Sequence, residues 1–386
     1  MSTDQRATAP LLKQLNERSV LEAIRTGAPI SRAEIARRTG ISKPTVSLAL
    51  RTLVGNGIVR ETSPDPGRPH YGAVFFEPVP EAALVLGLDI GARFLRGAIS
   101  DLDGRVRARQ DVELRSIDAD SALTMLAELR DALVLAAGEP AELIDSAVVG
   151  IPGVVDPVRG TVSLATNVPG LDGRDFASDL HRVLGLPAQL ENDINLAALG
   201  EQWGGVARGV EDFLFLSIGT GLGAGLVVHG DLHRGRNGAA GELDYALAGF
   251  DDDLDPCADA VSRLAARLAR RHDGGSTLLP PYEPREIFAA ARADDALARE
   301  VVAEEARRIA LYVMTVAAVA DVELVVIGGG LGANGDLLLE PIRRDLGLRL
   351  PYPPRVEISS LGEAAILTGA LAVGVRTARD NVSRPR

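Results

Sequence analysis

The 386-residue sequence has one cysteine, Cys257, two lysines and an aromatic content of only 4%. A single cysteine excludes an intramolecular disulfide and any zinc site built from several cysteines. No apolar run of about 18 residues occurs and no basic-then-apolar leader begins the chain, so neither a membrane span nor export is indicated. We therefore expect a cytoplasmic protein without a membrane partner. The length favours two or three domains.

The net charge of −12 is unevenly distributed along the chain. Residues 1–80 contain 11 Lys and Arg against 7 Asp and Glu, a balance of +4, whereas residues 81–386 contain 30 against 46, a balance of −16. Nucleic acid attracts the basic segment and repels the acidic one. Any contact with DNA is therefore expected in the N-terminal 80 residues.

Two helix starts separated by a tight turn lie within SRAEIARRTGISKPTVSLALRTLVGNGIV, residues 31–59. Ser31 with Glu34 is typical of a capping box, and Gly40 ends that helix. Ser42 is the N-cap of the next helix, and Pro44 lies in its first turn, where a missing N–H costs nothing. The pattern predicts a helix-turn-helix whose second helix buries Val46, Ala49, Leu50 and Leu53.

The opposite face of that second helix carries short polar and cationic side chains suited to base edges and phosphates. A helical hairpin with a solvated polar face is the alternative, and spacing alone does not separate the two. The strand, the turn Gly67-Arg68-Pro69 and the strand that follow favour a winged helix-turn-helix, with Arg68 as either a minor-groove contact or an ordinary loop arginine. The candidate DNA-binding residues are Ser42, Lys43, Pro44, Thr45, Ser47, Arg51 and Arg68.

The rest of the chain contains an internal sequence repeat. DIGARFLRGAIS at 89–100 aligns without a gap on SIGTGLGAGLVV at 217–228, each with a strand, Ile-Gly, a five-residue turn, Gly and an apolar strand. The backbone N–H groups of such turns can hold phosphate. A true duplication predicts two related lobes with a cleft between them, and two unrelated hairpins are the alternative. A later glycine-rich turn, in VIGGG, lacks the lysine of a P-loop.

The segment LENDINLAALGE, residues 190–201, places Asp193 between two asparagines at the start of an apolar helical pattern. Asn and Asp favour helix N-caps, so a simple helix start explains these residues. The alternative is that Asp193 holds or activates a substrate hydroxyl.

These segments, in this order and together with GIPGVVD, SIGTGLGAGLVVHGDLHRG and GAAGELDYA, resemble the ROK family of repressors and sugar kinases from about residue 11 onward. The resemblance implies an α/β, two-lobed actin-like ATPase or sugar-kinase (ribonuclease H-like) fold with an N-terminal winged helix-turn-helix. The expected divisions are a DNA-binding domain at 11–80, a first lobe at 81–200, and a second lobe with the dimerisation region at 201–386. The head resembles that of the family's regulators, and its kinases lack one.

The resemblance also implies a sugar site between the lobes. In the family's kinases the residue matching Asp193 is the general base, whereas in its regulators it usually serves sugar binding alone. Tyr245 offers a hydroxyl or a stacking face to a sugar, or else fills the pocket. The sugar-binding residues that the resemblance implies are Gly153, Asn167, Asn192, Asp193, Glu242 and Tyr245.

Two departures from the family pattern limit what carries over. Gly91-Ala92-Arg93 replaces Gly-Gly-Thr in the first turn, so a large side chain stands beside the expected phosphates and argues against ATP binding. Asp244 and Tyr245 replace the Gly-His pair of Gly-Glu-Ile-Gly-His, and no cysteine set follows. We therefore expect no structural zinc and no other metal or cofactor.

Together these features predict a DNA-binding transcriptional regulator, a repressor of carbohydrate uptake or metabolism genes, and not an enzyme. Its expected partners are double-stranded operator DNA, a small sugar effector and further copies of itself, in a homodimer or homotetramer. An ATP-dependent sugar kinase is the first alternative, because it explains Asp193 and Glu242. A DNA-binding protein with a vestigial cleft is the second.

Overall fold

The structure of the protein, a computed structural model, describes residues 9–63, 73–114, 118–165, 168–245 and 254–382. It consists of an N-terminal head followed by two lobes, each built on a five-stranded sheet. This arrangement confirms the predicted two-lobed fold with an N-terminal winged helix. Within the described residues, no helix combines the length and the apolar character that crossing a membrane requires.

The head contains three helices and a small antiparallel sheet in the order β1-β3-β2. At the start of the helix that precedes the tight turn, the Ser31 side chain accepts a hydrogen bond from the Glu34 N–H. Gly40 ends that helix with φ of 69°. The Glu34 carboxylate binds Arg37 and Arg38, so this helix has a simple serine cap in place of the predicted reciprocal box. The elements are α1 (Ala9–Gly27), β1 (Ile30–Ser31), α2 (Arg32–Thr39), α3 (Lys43–Gly55), β2 (Val59–Thr62) and β3 (Phe75–Pro78).

The packing of the head follows the predicted apolar stripes. Side chains from α1, α2 and α3 bury one common core, which β2 and β3 complete. The wing tip with Arg68 lies outside the described residues. The buried core includes Val20, Leu21, Ile24, Ile35, Val46, Ala49, Leu50, Leu53 and Phe76.

The two lobes share one sheet topology, which confirms the internal duplication. In each sheet, three antiparallel strands in sequence order are followed by two parallel strands added on the other side. Each duplicated hairpin turn is three residues long, at 91–93 and 219–221, which corrects the predicted five. The first sheet contains β4 (Leu84–Ile90), β5 (Phe94–Asp101), β6 (Val106–Glu113), β7 (Ile144–Ile151) and β10 (Ala188–Asn192). The second contains β11 (Phe213–Ile218), β12 (Leu222–Val228), β13 (Asp231–Leu232), β14 (Leu324–Gly328) and β15 (Arg355–Ile358).

Helices cover the faces of both sheets. The first lobe packs α4 and α5 on its sheet, and the second packs α7, α8, α9 and α11 on its own. The remaining elements are α4 (Ala119–Ala137), β8 (Val154–Val155), β9 (Val162–Ser163), α5 (Phe176–Leu184), α6 (Asp193–Gly204), α7 (Ala258–Ala269), α8 (Pro284–Arg292), α9 (Ala296–Ala320), α10 (Gly329–Gly332), α11 (Gly335–Arg349) and α12 (Ala365–Val382).

Helices α6 and α12 cross between the sheets. A Cβ on Gly200 of α6 would lie 2.1 Å from the Ala365 carbonyl oxygen, and one on Gly369 of α12 would lie 1.8 Å from that of Leu196. The two backbones therefore touch directly. Helix α12, although last in the chain, packs on β4 of the first sheet, so a boundary at residue 200 divides the chain by sequence and not by space.

The Gly369→Ala variant is expected to be destabilised by about 2 kcal/mol or more, because a methyl group at this position requires the two helices to separate. Gly347 of α11 is the matched control, since a Cβ there meets no atom within 4 Å. The Gly347→Ala change is expected to be neutral or stabilising by up to about 1 kcal/mol. Denaturant unfolding of both variants measures this, and equal effects would contradict the close crossing.

Candidate functional site

The candidate sugar site lies where β10 passes into α6. Asn192 is the N-cap of α6, and its Oδ1 accepts the Asn195 N–H at 2.9 Å. The Asn192 amide also donates to the Gly153 carbonyl at 2.9 Å, which joins the helix start to the turn after β7. Asp193 is the first residue of the helix, and its Oδ1 accepts the Ile194 N–H at 2.8 Å. The same segment thus begins α6 and positions the Asp193 carboxylate.

Burial and neighbouring carboxylates change the pKa values of two acidic side chains at this point. Burial, and then the charges of Asp89 and Glu242, raise the pKa of Asp193 to about 7. Burial also raises the pKa of Glu242, and the charge of Asp244 adds to the effect. At neutral pH Asp193 is therefore only partly ionised. Such a carboxyl group can accept a hydrogen bond from a sugar hydroxyl or take its proton, so it suits both binding and base chemistry.

The other predicted sugar contacts have mixed positions. Gly153 adopts φ of +92°, and a Cβ there would lie 2.6 Å from the Ser163 carbonyl oxygen, so local packing by itself requires glycine. The Tyr245 side chain is 55% exposed. Asn167 lies outside the described residues. The structure therefore brings together Gly153, Asn192 and Asp193, and the roles of all six residues in sugar binding stay predictions.

Sequence reasoning missed an ion pair behind the site. The Glu191 carboxylate, which is buried, lies 2.6 Å from Nη2 of Arg234, in the segment after β13 of the second lobe. Its other oxygen accepts the Asn192 N–H at 3.1 Å and the Asn195 amide at 3.0 Å. This carboxylate holds the helix start and the second lobe together. Both residues lie in quoted motifs, but nothing in their spacing pairs them.

The charged side chains at and near the first duplicated turn form ion pairs within the chain. Arg93 binds Glu113 at 2.8 Å and so does not project alone into the turn. Arg96, which the sequence analysis overlooked, lies 3.3 Å from the buried Asp89 carboxylate. Burial raises the pKa of Asp89 to about 6, and the guanidinium opposes that rise. A cationic side chain therefore already faces this carboxylate.

The second duplicated turn is occupied by a carboxylate of the chain. Asp244 accepts the Leu222 N–H through both oxygens, at 3.1 and 3.2 Å. This N–H belongs to the first residue of β12, directly after the turn whose backbone donors could otherwise hold an anion. Because Asp244 fills this position and Arg96 faces Asp89, the residues present do not fit the phosphates of ATP.

The residues at the family's zinc position do not fit zinc either. Cys257 supplies one thiol, and its Sγ lies 3.9 Å from Asp244 Oδ1. Burial, and then Asp255, raise the pKa of this thiol well above its ordinary value, whereas zinc requires the thiolate. Within the described ranges, no cluster of three or more His, Cys, Asp or Glu side chains is suited to a metal.

The candidate DNA-binding face of α3 points outward. Lys43, Pro44 and Arg51 are exposed. Ser42 Oγ lies 2.8 Å from Thr45 Oγ1, and Ser42 accepts the Thr45 N–H, so their first role is to cap the helix. Ser47 accepts from Arg32 of α2 at 3.2 Å. Leu48, which the sequence analysis did not select, is 49% exposed on this face and suits contact with a thymine methyl group.

The raised pKa of Asp193 predicts how stability depends on pH. The folded state binds the proton up to about pH 7 and the unfolded state only up to the ordinary value of 3.8. The free energy of unfolding therefore falls as pH rises through this window. Asp193→Asn removes the effect, so the variant is expected to be more stable than the unmodified protein at pH 8, by on the order of 2 kcal/mol.

Thermal unfolding at pH 5 and pH 8 tests this expectation. The advantage of Asp193→Asn should appear at pH 8 and shrink at pH 5. An equal effect at both pH values would show that Asp193 has an ordinary pKa.

The chain matches two families of known proteins. Residues 85–375 match the ROK family, and residues 14–69 match the MarR family. The xylose repressor of Caldicellulosiruptor bescii is 27% identical over 383 residues, which cover 94% of this chain and 96% of that protein. The glucokinase of Halalkalibacterium halodurans is 28% identical over 281 residues, which cover 67% of this chain and 84% of the kinase.

A solved structure extends the likeness to the whole fold. The crystal structure of a ROK family transcriptional regulator, a homolog of the E. coli MLC protein, has a TM-score of 0.80 and 23% identity. The match covers 96% of this chain and 98% of that one. Head and lobes therefore occur together in that structure in an arrangement similar to this one.

Proposed function

Because the chain belongs to the ROK family, we propose that it is a DNA-binding transcriptional repressor of carbohydrate uptake or metabolism genes. A sugar bound between the lobes changes its affinity for operator DNA. The observation that carries this proposal is the winged head, with the outward face of α3, on a two-lobed body in which the buried carboxyl group of Asp193 begins α6. Similarity to a named repressor over nearly the full length of both proteins supports it.

A sugar kinase of the same family is the second candidate, because named kinases share two thirds of the chain and the Asp193 carboxyl group suits a base. Phosphoryl transfer depends on donors positioned around the phosphates. Here Asp244 occupies the Leu222 N–H, and Arg96 faces Asp89. We therefore propose that the chain holds its sugar without phosphorylating it.

The proposed mechanism is a ligand-dependent choice between two conformations. Sugar binding favours one relative position of the lobes, and operator affinity changes by no more than the sugar's preference for that conformation. A head of this size recognises a half-site, so we propose that two copies bind an inverted repeat through two-fold symmetry. The proposed operator contacts are the exposed residues of α3.

Fluorescence anisotropy tests the function directly. Full-length protein is titrated onto labelled DNA from upstream of its own gene at fixed salt, because phosphate contacts make affinity salt-dependent. A panel of monosaccharides and oligosaccharides is added, starting with D-xylose and D-glucose, which the names of the similar proteins suggest. Selective binding that one sugar changes is the expected result. Absence of selective binding with every sugar would reject the repressor, and a phosphorylation assay on the same panel would then test the kinase.

The Asp193→Asn variant is expected to lose most of the sugar response and to retain operator affinity without sugar. An amide cannot replace an ionised carboxylate as a hydroxyl acceptor without loss, and a charge-assisted hydrogen bond contributes roughly 1.5–3 kcal/mol. The same anisotropy assay measures both quantities. Loss of operator binding without sugar would instead assign Asp193 a structural role.

Arg51→Ala provides the complementary change in the head. It removes an exposed cation of α3 and is expected to weaken operator binding about tenfold. Sugar affinity, measured by isothermal titration calorimetry, should remain unchanged because the residue lies in a separate domain. A variant with unaltered operator affinity would exclude Arg51 from the DNA interface.

A further inference from the structure

Helix α6 has the candidate sugar site at one end and, at the other, a tryptophan that packs against Arg379 of α12. Asp193 is its first residue and Trp203 its last but one. Ten residue steps along the helix separate them, a rise of about 15 Å. Because α6 is packed along its length against α12 and β12, a displacement of its first turn moves the whole helix.

At its far end, α6 contacts an arginine of α12. The Arg379 guanidinium lies 5.6 Å from the centroid of the Trp203 ring. The same group donates from Nε and Nη2 to the Leu102 carbonyl, at 2.9 and 2.5 Å, in the turn between β5 and β6. Gly104 of that turn backs onto the indole, since a Cβ there would lie 3.3 Å from Trp203 Cζ2. Helix α6, helix α12 and the turn between β5 and β6 thus meet around the Arg379 guanidinium. We call this set of contacts, made by Arg379, Trp203, Leu102 and Gly104, the Arg379 joint.

The head packs beside the Arg379 joint, and its contacts are with the residues next to the joint. Val382, at the end of α12, packs against both the head core and the core between α12 and the first sheet. Arg18 of α1 lies 3.0 Å from Asp380, and Arg25 of α1 lies 3.9 Å from Asp103. The cavity left between head and body measures about 10 Å³, no more than one water requires. Side chains of α1 therefore follow any movement of the joint.

Burial disfavours the charged form of the Arg379 side chain. Burial, and then the nearby Arg25, lower the pKa of Arg379 to about 10. The charges of Asp103, Glu22 and Asp101 oppose that lowering. The Leu102 carbonyl and the Trp203 face contact the guanidinium directly and so fix its position.

We propose that the Arg379 joint transmits movement of α6 to the head and so couples the sugar site to operator binding. Arg379 acts as a positioning residue in this coupling, and it contacts neither sugar nor DNA. The inference rests on the proposed function, because it concerns regulation of the same cleft. It names α6 as the connecting element and the pair Trp203 and Arg379 as its point of contact with the head.

The Arg379→Met variant tests the joint in the full-length protein. It keeps a long apolar side chain while removing the carbonyl contacts and the cation above Trp203. Arg376→Met is the matched control, because Arg376 is exposed on the same helix. For each protein, operator affinity is measured with and without the sugar selected from the panel, and sugar affinity is measured by calorimetry.

The quantity of interest is the ratio of operator affinities without and with sugar. The unmodified protein and Arg376→Met should share one ratio, within the range of about 5 to 150 that allosteric proteins show. Arg379→Met should lower this ratio to below about 2 while sugar affinity stays within about twofold. A variant that keeps the full ratio overturns the proposal. If the unmodified protein binds sugar with a ratio of one, the proposed function itself fails, and with it the joint.

Two further measurements distinguish loss of coupling from misfolding of the Arg379→Met variant. Arg379→Lys and Trp203→Phe each retain part of the contact, and both should give ratios between those of the unmodified protein and Arg379→Met. Trp203 is the only tryptophan in the chain, so its fluorescence reports the joint without a label. Sugar should change its acrylamide quenching in the unmodified protein and in Arg376→Met. Unchanged quenching, with sugar bound and operator affinity shifted, would place the coupling elsewhere.

Discussion

The close crossing of α6 and α12 is the constraint on which the two lobes depend. Gly200 and Gly369 let the helix backbones touch, since each methyl group would meet a carbonyl oxygen within about 2 Å. Gly223 and Gly225 of β12 provide the same closeness on the other side of α6, against Ile194 and Ala198. A helix held so tightly on two sides has little freedom to bend. Under the proposed coupling it moves as a rigid body, and the sheets that contact it move with it.

The cleft differs from a phosphoryl-transfer site in the charges that occupy it. A nucleotide requires unoccupied N–H donors and a carboxylate free to meet a cation. In this chain Asp244 takes a turn N–H and Arg96 faces Asp89. Asp193 has neither kind of partner, because the groups around it are other carboxylates and the first turn of its own helix. Under the proposed function, these substituted positions disfavour phosphoryl transfer, and Asp193 keeps its role in holding a hydroxyl group.

Local signals in the sequence predicted the helix starts at Ser31, Ser42 and Asn192, because a cap depends on residues within one turn. The repeated hairpins also predicted two related lobes, because each copy forms the first hairpin of a sheet with the same topology. The contacts of Arg96, Asp244 and the pair Glu191 and Arg234 were not predictable, because their partners are distant in sequence or chosen by packing. The position of α12 on the first sheet was missed for the same reason. Family resemblance indicated which residues change, but only coordinates show what a changed residue binds.

Under the proposed function, the buried Asp193 carboxyl group supplies the free energy that moves α6. Burial and like charges raise the pKa of Asp193, so its ionised form is disfavoured. A sugar hydroxyl that donates to this group relieves part of that penalty, but only in the lobe position that brings the hydroxyl within reach. The preference for that position is the whole of the energy available for regulation. Because Asp193 is the first residue of α6, this energy acts on the helix that carries Trp203 in its last turn. An equal sugar affinity in both positions would leave the head where it was.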